Sequence, residues 1–170
     1  MKADRAIGAL VWIALACSAS AQEIGRIDAL LDGRPLQWET RLDGPGGAPG
    51  STGHSRFDAL FAVSLQGYPS ASADDAKPGI LALQFAVPRG LVVAADPVIA
   101  YFPGGFGSAY VADIDSGAEI RLDRFDPGAG HAAGQFSARL CHRSSPMVRA
   151  DPDRCMLVQG RFDSAVPLSD

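Results

Sequence analysis

The sequence predicts an all-β fold: an antiparallel β-sandwich or flattened barrel of about eight to ten strands, which follows an N-terminal signal peptide. Short runs of alternating apolar and polar residues recur along the chain, and Gly, Pro, Asp and Ser separate them. No run after the leader has the spacing of an amphipathic helix. The chain has 170 residues, so we expect a single β-sandwich domain over 22–170.

The composition is that of a globular protein, with 47% hydrophobic and 20% charged residues. Its 15 basic and 19 acidic residues give a formal net charge of −4. A chain of this charge has no general electrostatic attraction to nucleic acid or to anionic lipid. We therefore expect no nucleic-acid partner.

Residues 1–21 have the pattern of a secretory signal peptide. A basic start is followed by an apolar run over 7–16 and then by small residues before the expected cleavage between Ala21 and Gln22. The alternative is a buried core helix. The apolar run is shorter than the ~20 residues that span a bilayer, so we expect no transmembrane span. The pattern predicts a periplasmic or secreted protein.

A lipoprotein signal is the rival interpretation of the leader. Ala14-Leu15-Ala16-Cys17 resembles the bacterial lipobox, in which the cysteine becomes the lipidated first residue. The lipobox prefers Leu three residues before the cysteine, and Ala14 stands there in this chain. If Cys17 is lipidated, the protein is tethered to a membrane in the cell envelope.

Two cysteines follow the leader, Cys141 and Cys155. An even number of cysteines in an exported chain predicts a disulfide, which closes a loop of about 15 residues and stabilises the fold by ~3 kcal/mol in the chain-entropy model. The alternative is two free thiols or a metal site that also uses His142. No fourth soft ligand stands nearby in the sequence, and the spacing is not that of a C-x-x-C redox motif.

Turn residues divide the chain into candidate strands. Asp32-Gly33 predicts a tight hairpin, Trp38 is expected in the core, and the segments 44–53 and 67–79 are expected loops. The expected strands cover 27–31, 36–38, 57–65, 80–87, 91–95, 98–102, 110–114, 120–125, 134–141 and 155–166.

The last two strands predict their own register. If Cys141 lies opposite Cys155, each phenylalanine of the inner face lies over a glycine of the neighbouring strand, an arrangement that fixes register. This register pairs Phe136 with Gly160, Gly134 with Phe162, Leu140 with Met156 and Ala138 with Val158 on the inner face, and Ser137 with Gln159 and Gln135 with Arg161 on the outer face.

An Arg-apolar-Asp motif recurs in the chain. In a strand, its Arg and Asp share the outer face and the residue between them points inward, so we interpret it as a solvated strand face. The irregular spacing of its copies excludes a repeat architecture. The copies are Arg26-Ile27-Asp28, Arg56-Phe57-Asp58, Arg124-Phe125-Asp126 and Arg161-Phe162-Asp163.

Catalytic motifs are absent from the sequence. It contains no G-x-S-x-G, H-E-x-x-H, Walker A or complete G-x-G-x-x-G pattern, so we expect no cofactor. His54 and His131 follow Gly-rich segments and are the candidate bases of the alternative function, a small secreted hydrolase.

Acidic residues alternate in one short segment. Asp113, Asp115 and Glu119 have a spacing that can suit Ca²⁺, although the pattern is not that of an EF-hand. A calcium-stabilised binding domain is the second alternative, and a solvated turn is the simpler interpretation.

Four aromatic residues surround a Gly-rich turn and are candidates for binding a ligand. Aromatic side chains on a β-turn can stack on a sugar or anchor a protein partner, whereas by alternation Phe102 can point inward. The candidates are Tyr101, Phe102, Phe106 and Tyr110. We therefore expect an exported, non-catalytic protein that binds a glycan or another envelope protein through its end loops.

Overall fold

A computed structural model describes residues 23–42, 52–69, 79–104, 108–145 and 147–169. The expected leader, with Cys17 and the cleavage position, lies outside these residues, as does Phe106. The strands are β1 (Glu23–Leu31), β2 (Arg34–Arg41), β3 (Gly53–Arg56), β4 (Leu60–Pro69), β5 (Ile80–Pro88), β6 (Ala95–Phe102), β7 (Ala109–Ala112), β8 (Glu119–Asp126), β9 (His131–Arg143) and β10 (Asp151–Ala165). A short 3-10 turn, Ile114–Ser116, precedes β8.

The strands form one antiparallel sheet whose ends meet, so the molecule is ring-like. Hydrogen bonds join the strands in the order β10-β1-β2-β4-β5-β6-β7-β9, and β9 also pairs with β10. The long β9 allows this closure because its first part pairs with β8 and its last three residues pair with β7. The all-β, antiparallel fold predicted from the sequence is confirmed.

The Asp32-Gly33 hairpin forms as predicted. Leu31 pairs with Arg34, and both turn residues have positive φ, 48° for Asp32 and 77° for Gly33. Two left-handed residues are the geometry of the two-residue turn that matches the twist of adjacent strands. The turn also contacts β10, since the Asp32 carboxylate accepts a 2.8 Å hydrogen bond from the Leu157 N–H.

The predicted register of β9 and β10 is confirmed at each pair from Cys141–Cys155 to Gly134–Phe162. The disulfide joins Cys141 to Cys155 across the two strands, with their Cα atoms 4.0 Å apart. Its presence is typical of a protein that resides in a non-reducing compartment.

The expected strand over 57–65 is wrong as one element. The chain forms β3, turns at 57–59 and returns as β4, so that Arg56 pairs with Phe61. Phe57 is 56% exposed because it lies in the turn. The segment 44–53 ends inside β3, and β4 continues to Pro69, so both expected loops are shorter than predicted.

The expected strand over 91–95 is also wrong. Residues 91–94 are irregular, and β6 is one strand that contains Asp96 and Pro97. Asp96 has a φ of 49° and marks a shift in the register between β5 and β6. A β-bulge at this point therefore accommodates the Asp-Pro sequence within one strand, where the sequence predicts a break between two strands.

The inward faces of the strands form one hydrophobic cluster inside the ring. Trp38 is fully buried, as predicted, and its Nε1–H donates a 2.7 Å hydrogen bond to the Gly79 carbonyl. Other large members of the cluster are Ile27, Leu65, Leu81, Leu83, Phe85, Ile99, Phe136, Leu140 and Phe162.

The C-terminal segment passes along β3. The His54 N–H donates to the Pro167 carbonyl at 2.9 Å, and the Ser169 N–H donates to the His54 carbonyl at 2.8 Å. The second edge of β3 is therefore hydrogen-bonded. Among the described residues, no helix has the length and hydropathy needed to cross a bilayer.

Candidate functional site

A concave groove lies on the outer face of β2, β1, β10, β9 and β8. Antiparallel pairing places one side chain from each strand in a continuous row across this face. The central row is Gln37, Asp28, Arg161, Gln135 and Arg121, and the next is Pro35, Leu30, Gln159, Ser137 and Glu119. We call this surface the sheet groove.

Asp28 is the charged centre of the sheet groove. Its Oδ1 accepts a 2.7 Å hydrogen bond from Gln37 Nε2, and its Oδ2 lies 3.6 Å from the Nε atoms of both Arg26 and Arg161. Both arginine side chains are more than half exposed and both contacts are longer than hydrogen bonds, so these ion pairs are weak. The Gln37 hydrogen bond is the stronger link, and it joins β1 to β2 at the centre of the groove.

The neighbouring polar side chains are available to a ligand. Within the described part of the chain, the side chains of Gln135, Ser137 and Gln159 have no hydrogen-bond partner in the protein. The groove they line has a volume of about 1110 Å³, slightly larger than is typical of small-molecule sites. Amide and hydroxyl groups both donate and accept, so such a surface suits an uncharged polar ligand.

Two copies of the Arg-apolar-Asp motif form part of this surface. β1 and β10 run antiparallel, so Arg26 lies opposite Asp163 and Asp28 lies opposite Arg161. The apolar residues between them, Ile27 and Phe162, are buried, which agrees with the interpretation of these copies as a strand face. The copy at 56–58 departs from that interpretation, because its Phe57 is exposed.

The structure places His54 in β3 rather than in a loop. Its ring is 3% exposed, and Nδ1 lies 2.6 Å from the Val166 carbonyl oxygen. Phe61 and Phe125 pack edge-on against the ring, with centroids 5.7 and 6.1 Å away. His54 thus binds the C-terminal segment and supports an aromatic cluster.

The structure places His131 at the start of β9, where its Nε2 lies 2.9 Å from the Asp163 carboxylate. Asp163 is largely exposed, and the buried Nδ1 of His131 has no partner among the described residues. In a Ser-His-Asp triad, the serine hydroxyl is hydrogen-bonded to the histidine that acts as the base. Neither histidine has a serine hydroxyl as a hydrogen-bond partner in the described part of the chain.

The aromatic candidates do not form one exposed platform. Tyr101 is 8% exposed and points inward, which corrects the expected alternation, since Phe102 on the opposite face is half-buried. Tyr110 pairs with Tyr101 and packs edge-on against His142, with ring centroids 5.2 Å apart.

The acidic candidates lie around the 3-10 turn. Asp113 Oδ1 accepts hydrogen bonds from the Ser116 N–H at 3.0 Å and from the Ser116 hydroxyl at 2.7 Å, and these bonds lower the pKa of the Asp113 carboxyl. Asp115 and Glu119 are exposed. Across the described ranges, no three His, Cys, Asp or Glu side chains come together to hold a metal ion.

Comparisons with protein-family models, with curated proteins and with solved structures find no match to this chain. The fold and the groove therefore define only a class: a ring-like antiparallel β-protein with a disulfide and a polar groove on one outer face.

Part of this groove follows from the predicted register of β9 and β10, which pairs Gln135 with Arg161 and Ser137 with Gln159. From the sequence, these four residues are expected only to share the outer face of two strands. The missing information was that β1, β2 and β8 extend the same rows. The two Arg-apolar-Asp copies at 26–28 and 161–163 were the available signal, because their complementary order predicts antiparallel neighbours.

Proposed function

We propose that the protein is an exported, non-catalytic binding protein whose sheet groove holds an uncharged polar ligand of the oligosaccharide class. The observation that carries this proposal is the pair of cross-strand rows on a concave surface, with Gln135, Ser137 and Gln159 unpartnered in the described structure. The sequence assigned binding to the end loops, but these rows favour the sheet face.

The side chains of the groove support a ligand with many hydroxyl groups. Asp28 and Glu119 accept hydrogen bonds, Arg121 and Arg161 donate them, and the amides do both. The charges partly cancel, so an ion of either sign gains little net attraction. Leu30 and Pro35 add apolar surface on which the carbon face of a sugar ring can pack.

Titration of ¹⁵N-labelled protein with maltohexaose, chitohexaose and cellohexaose tests the proposal. We expect chemical-shift changes on β9 and β10 with at least one of these sugars. Gln135→Ala and Gln159→Ala should each weaken binding about three- to tenfold, the effect of one lost hydrogen bond of ~1 kcal/mol.

Gln84→Ala is the matched control, because Gln84 is an exposed glutamine on the outer face of β5 and does not line the groove. The control should bind like the wild type. Binding that none of the groove variants changes, or the absence of binding to all three sugars at millimolar concentration, contradicts the proposal.

We also propose that the protein is exported through the leader at 1–21. The support is the leader pattern together with the disulfide, which forms readily outside the reducing cytosol. The mass of the protein recovered from a bacterial periplasm should correspond to a chain that begins at Gln22. A chain beginning at Cys17 with added acyl mass supports the lipoprotein alternative, and an intact chain retained in the cytosol contradicts export.

A further inference from the structure

Two neighbouring turns present an apolar surface at one end of the ring. The turn at 57–59 joins β3 to β4, and the segment 89–94 joins β5 to β6. The Arg89 N–H donates to the Ala59 carbonyl at 3.0 Å, so the two connections are hydrogen-bonded to each other. The Phe57 N–H and the Leu91 N–H are also bonded, to the Leu60 and Pro88 carbonyls at 2.9 and 3.1 Å. These hydrogen bonds join the two connections close to the strands that they leave.

Four large apolar side chains of these turns face solvent. Their exposed fractions are 56% for Phe57, 55% for Leu91, 51% for Val92 and 57% for Val93. We call these four residues the end-loop patch. Single exposed apolar residues are common, but three in succession, with a fourth on the turn that is hydrogen-bonded to their connection, indicate a binding surface.

An aromatic cluster lies beside the residues that flank the end-loop patch. Phe61 and Phe125 pack edge-on against each other with centroids 5.5 Å apart, and both contact the buried His54 ring. The Arg89 guanidinium lies over the Phe61 ring, 5.9 Å from its centroid. The cluster thus lies at the start of β4, which follows the 57–59 turn, and contacts Arg89 at the start of the second connection.

The charge around the end-loop patch differs from that of the whole chain. Arg56 and Arg89 flank it, and Asp58 is the one acidic residue of 56–59 and 89–94, so these segments carry a formal charge of +1, against −4 overall. Neither guanidinium forms an ion pair with a described carboxylate. The exposed Asp96 follows two residues after this segment. The feature that distinguishes this surface is therefore a pair of guanidinium groups, without an ion-pair partner among the described carboxylates, beside the apolar side chains.

The area of the patch distinguishes between occupants. Its four side chains expose on the order of 400 Å², whereas each partner in a stable protein interface buries roughly 800 Å². A lipid surface needs no complementary shape. In a bilayer the phosphates lie above the acyl chains, so inserted apolar side chains can reach the acyl chains while neighbouring cations contact the phosphates. We propose that the end-loop patch docks on a phospholipid surface, with its apolar side chains inserted and Arg56 and Arg89 contacting lipid phosphates.

Co-sedimentation with vesicles tests this proposal on the full chain. The probes are vesicles of phosphatidylcholine alone and of phosphatidylcholine with 30% phosphatidylglycerol. The Leu91→Ser/Val93→Ser variant should bind the mixed vesicles at least about tenfold more weakly than the wild type, since insertion depends on apolar area. Arg56→Ala should weaken binding to the mixed vesicles more than binding to phosphatidylcholine alone.

Leu157→Ser is the matched control, because Leu157 is 63% exposed on β10 and is not part of the end-loop patch. All variants carry the same N-terminal 22 residues, so any binding by that segment is equal among them. Leu157→Ser should bind like the wild type, and all variants should keep the wild-type circular dichroism because the replaced side chains are exposed.

Three results would overturn the proposal. One is equal vesicle binding by the patch variant and the wild type. A second is that the wild type sediments in the absence of vesicles and the patch variant does not. This result indicates that a second copy of the chain occupies the patch. The third is the absence of vesicle binding by the wild type. None of these results bears on sugar binding in the sheet groove.

Discussion

At the scale of single residues, glycines show how closely the backbone approaches its neighbours. A Cβ on Gly134 lies 2.3 Å from the Arg121 carbonyl oxygen and 3.1 Å from the Phe162 ring. Gly33 has open space around it but a φ of 77°. These two glycines are therefore required for different reasons, one for packing and one for backbone conformation.

Replacing three glycines by alanine, one at a time, separates the effect of close packing from the effect of backbone conformation. We expect Gly134→Ala to lower the free energy of unfolding by ~2–3 kcal/mol through steric overlap, and Gly33→Ala by ~1 kcal/mol through backbone strain. Gly104→Ala should have little effect, because no atom of the described residues lies within 4 Å of its Cβ position and its φ is not in the left-handed region. Urea denaturation measures all three, and equal stabilities for the three variants would contradict the packing described for β8 and β9.

Two carboxyl groups stabilise turns when they are ionised. Hydrogen bonds from Ser116 lower the pKa of Asp113, and the backbone N–H of Ala129 lowers the pKa of Asp126. A carboxyl whose pKa is lowered by folding stabilises the folded state above its unfolded pKa of about 3.9, and this contribution is lost as the pH falls through the folded pKa.

The lowered pKa of Asp113 predicts how the stability of the Asp113→Asn variant depends on pH. The variant should melt at a lower temperature than the wild type at pH 6, and the difference should shrink as the pH falls below about 3.9 and through the lowered pKa of the folded Asp113 carboxyl. Thermal melts across this pH range provide the measurement. A difference that stays constant down to pH 2 means that charge on Asp113 does not support the turn.

At the scale of elements, the hairpins that carry a strong local signal were the ones predicted. The Asp32-Gly33 turn needs two residues of positive φ, and the sequence supplies them. The β9–β10 register followed from the two cysteines together with the alternation of Phe and Gly. In both hairpins, the residues that determine the geometry are close in sequence, so no knowledge of the remaining chain was needed.

Other elements could not be placed from alternation. Phe57 fits the alternating pattern of Phe61 and Val63, but it lies in the turn between β3 and β4 and is exposed rather than part of the core. Leu91, Val92 and Val93 resemble a buried strand in sequence and are exposed in the structure. Apolar residues that belong to a surface have the same pattern as apolar residues of a core, so the sequence alone cannot distinguish them.

Removal of the disulfide tests how β9 and β10 are held together. Cys141→Ser/Cys155→Ser should lower the free energy of unfolding by ~3 kcal/mol, since the bridge closes a loop of about 15 residues. The variant should still fold with the same register, because the inner-face pairs of Phe and Gly are unchanged. Chemical denaturation and a ¹⁵N–¹H spectrum check both expectations; reduced wild-type protein is the control and should match the variant.

At the scale of the whole molecule, closure of the ring depends on short pairings on both sides of β7, each of three residue pairs. β7 pairs with β9 through three residue pairs, Ala109–Arg143, Tyr110–His142 and Val111–Cys141, whereas β4 and β5 share eight. This closure could not be predicted from the sequence, because alternation identifies strands but not their neighbours. The sheet groove was missed for the same reason, since its rows exist only once β2, β1, β10, β9 and β8 are adjacent.

Native-state hydrogen exchange should reveal this difference between strands. The amides of β7 should exchange faster than those of β5, because few interactions must break to open the ring at β7. Exchange measured by NMR at neutral pH gives the rates residue by residue. Protection of β7 equal to that of β5 would show that the ring does not open there first.

The central claim is that one register of β9 and β10 directs Phe136 and Phe162 into the core and Gln135, Ser137 and Gln159 into the sheet groove. Residue pairs with close Cα atoms, such as Cys141–Cys155 at 4.0 Å, alternate with wider pairs, so Ser137–Gln159 and Gln135–Arg161 are also close pairs. Nuclear Overhauser measurements should therefore show Hα–Hα contacts between Ser137 and Gln159 and between Gln135 and Arg161. Contacts from Ser137 to Val158 or Gly160 instead would contradict the account, because a shift of one residue exchanges the core face and the groove face.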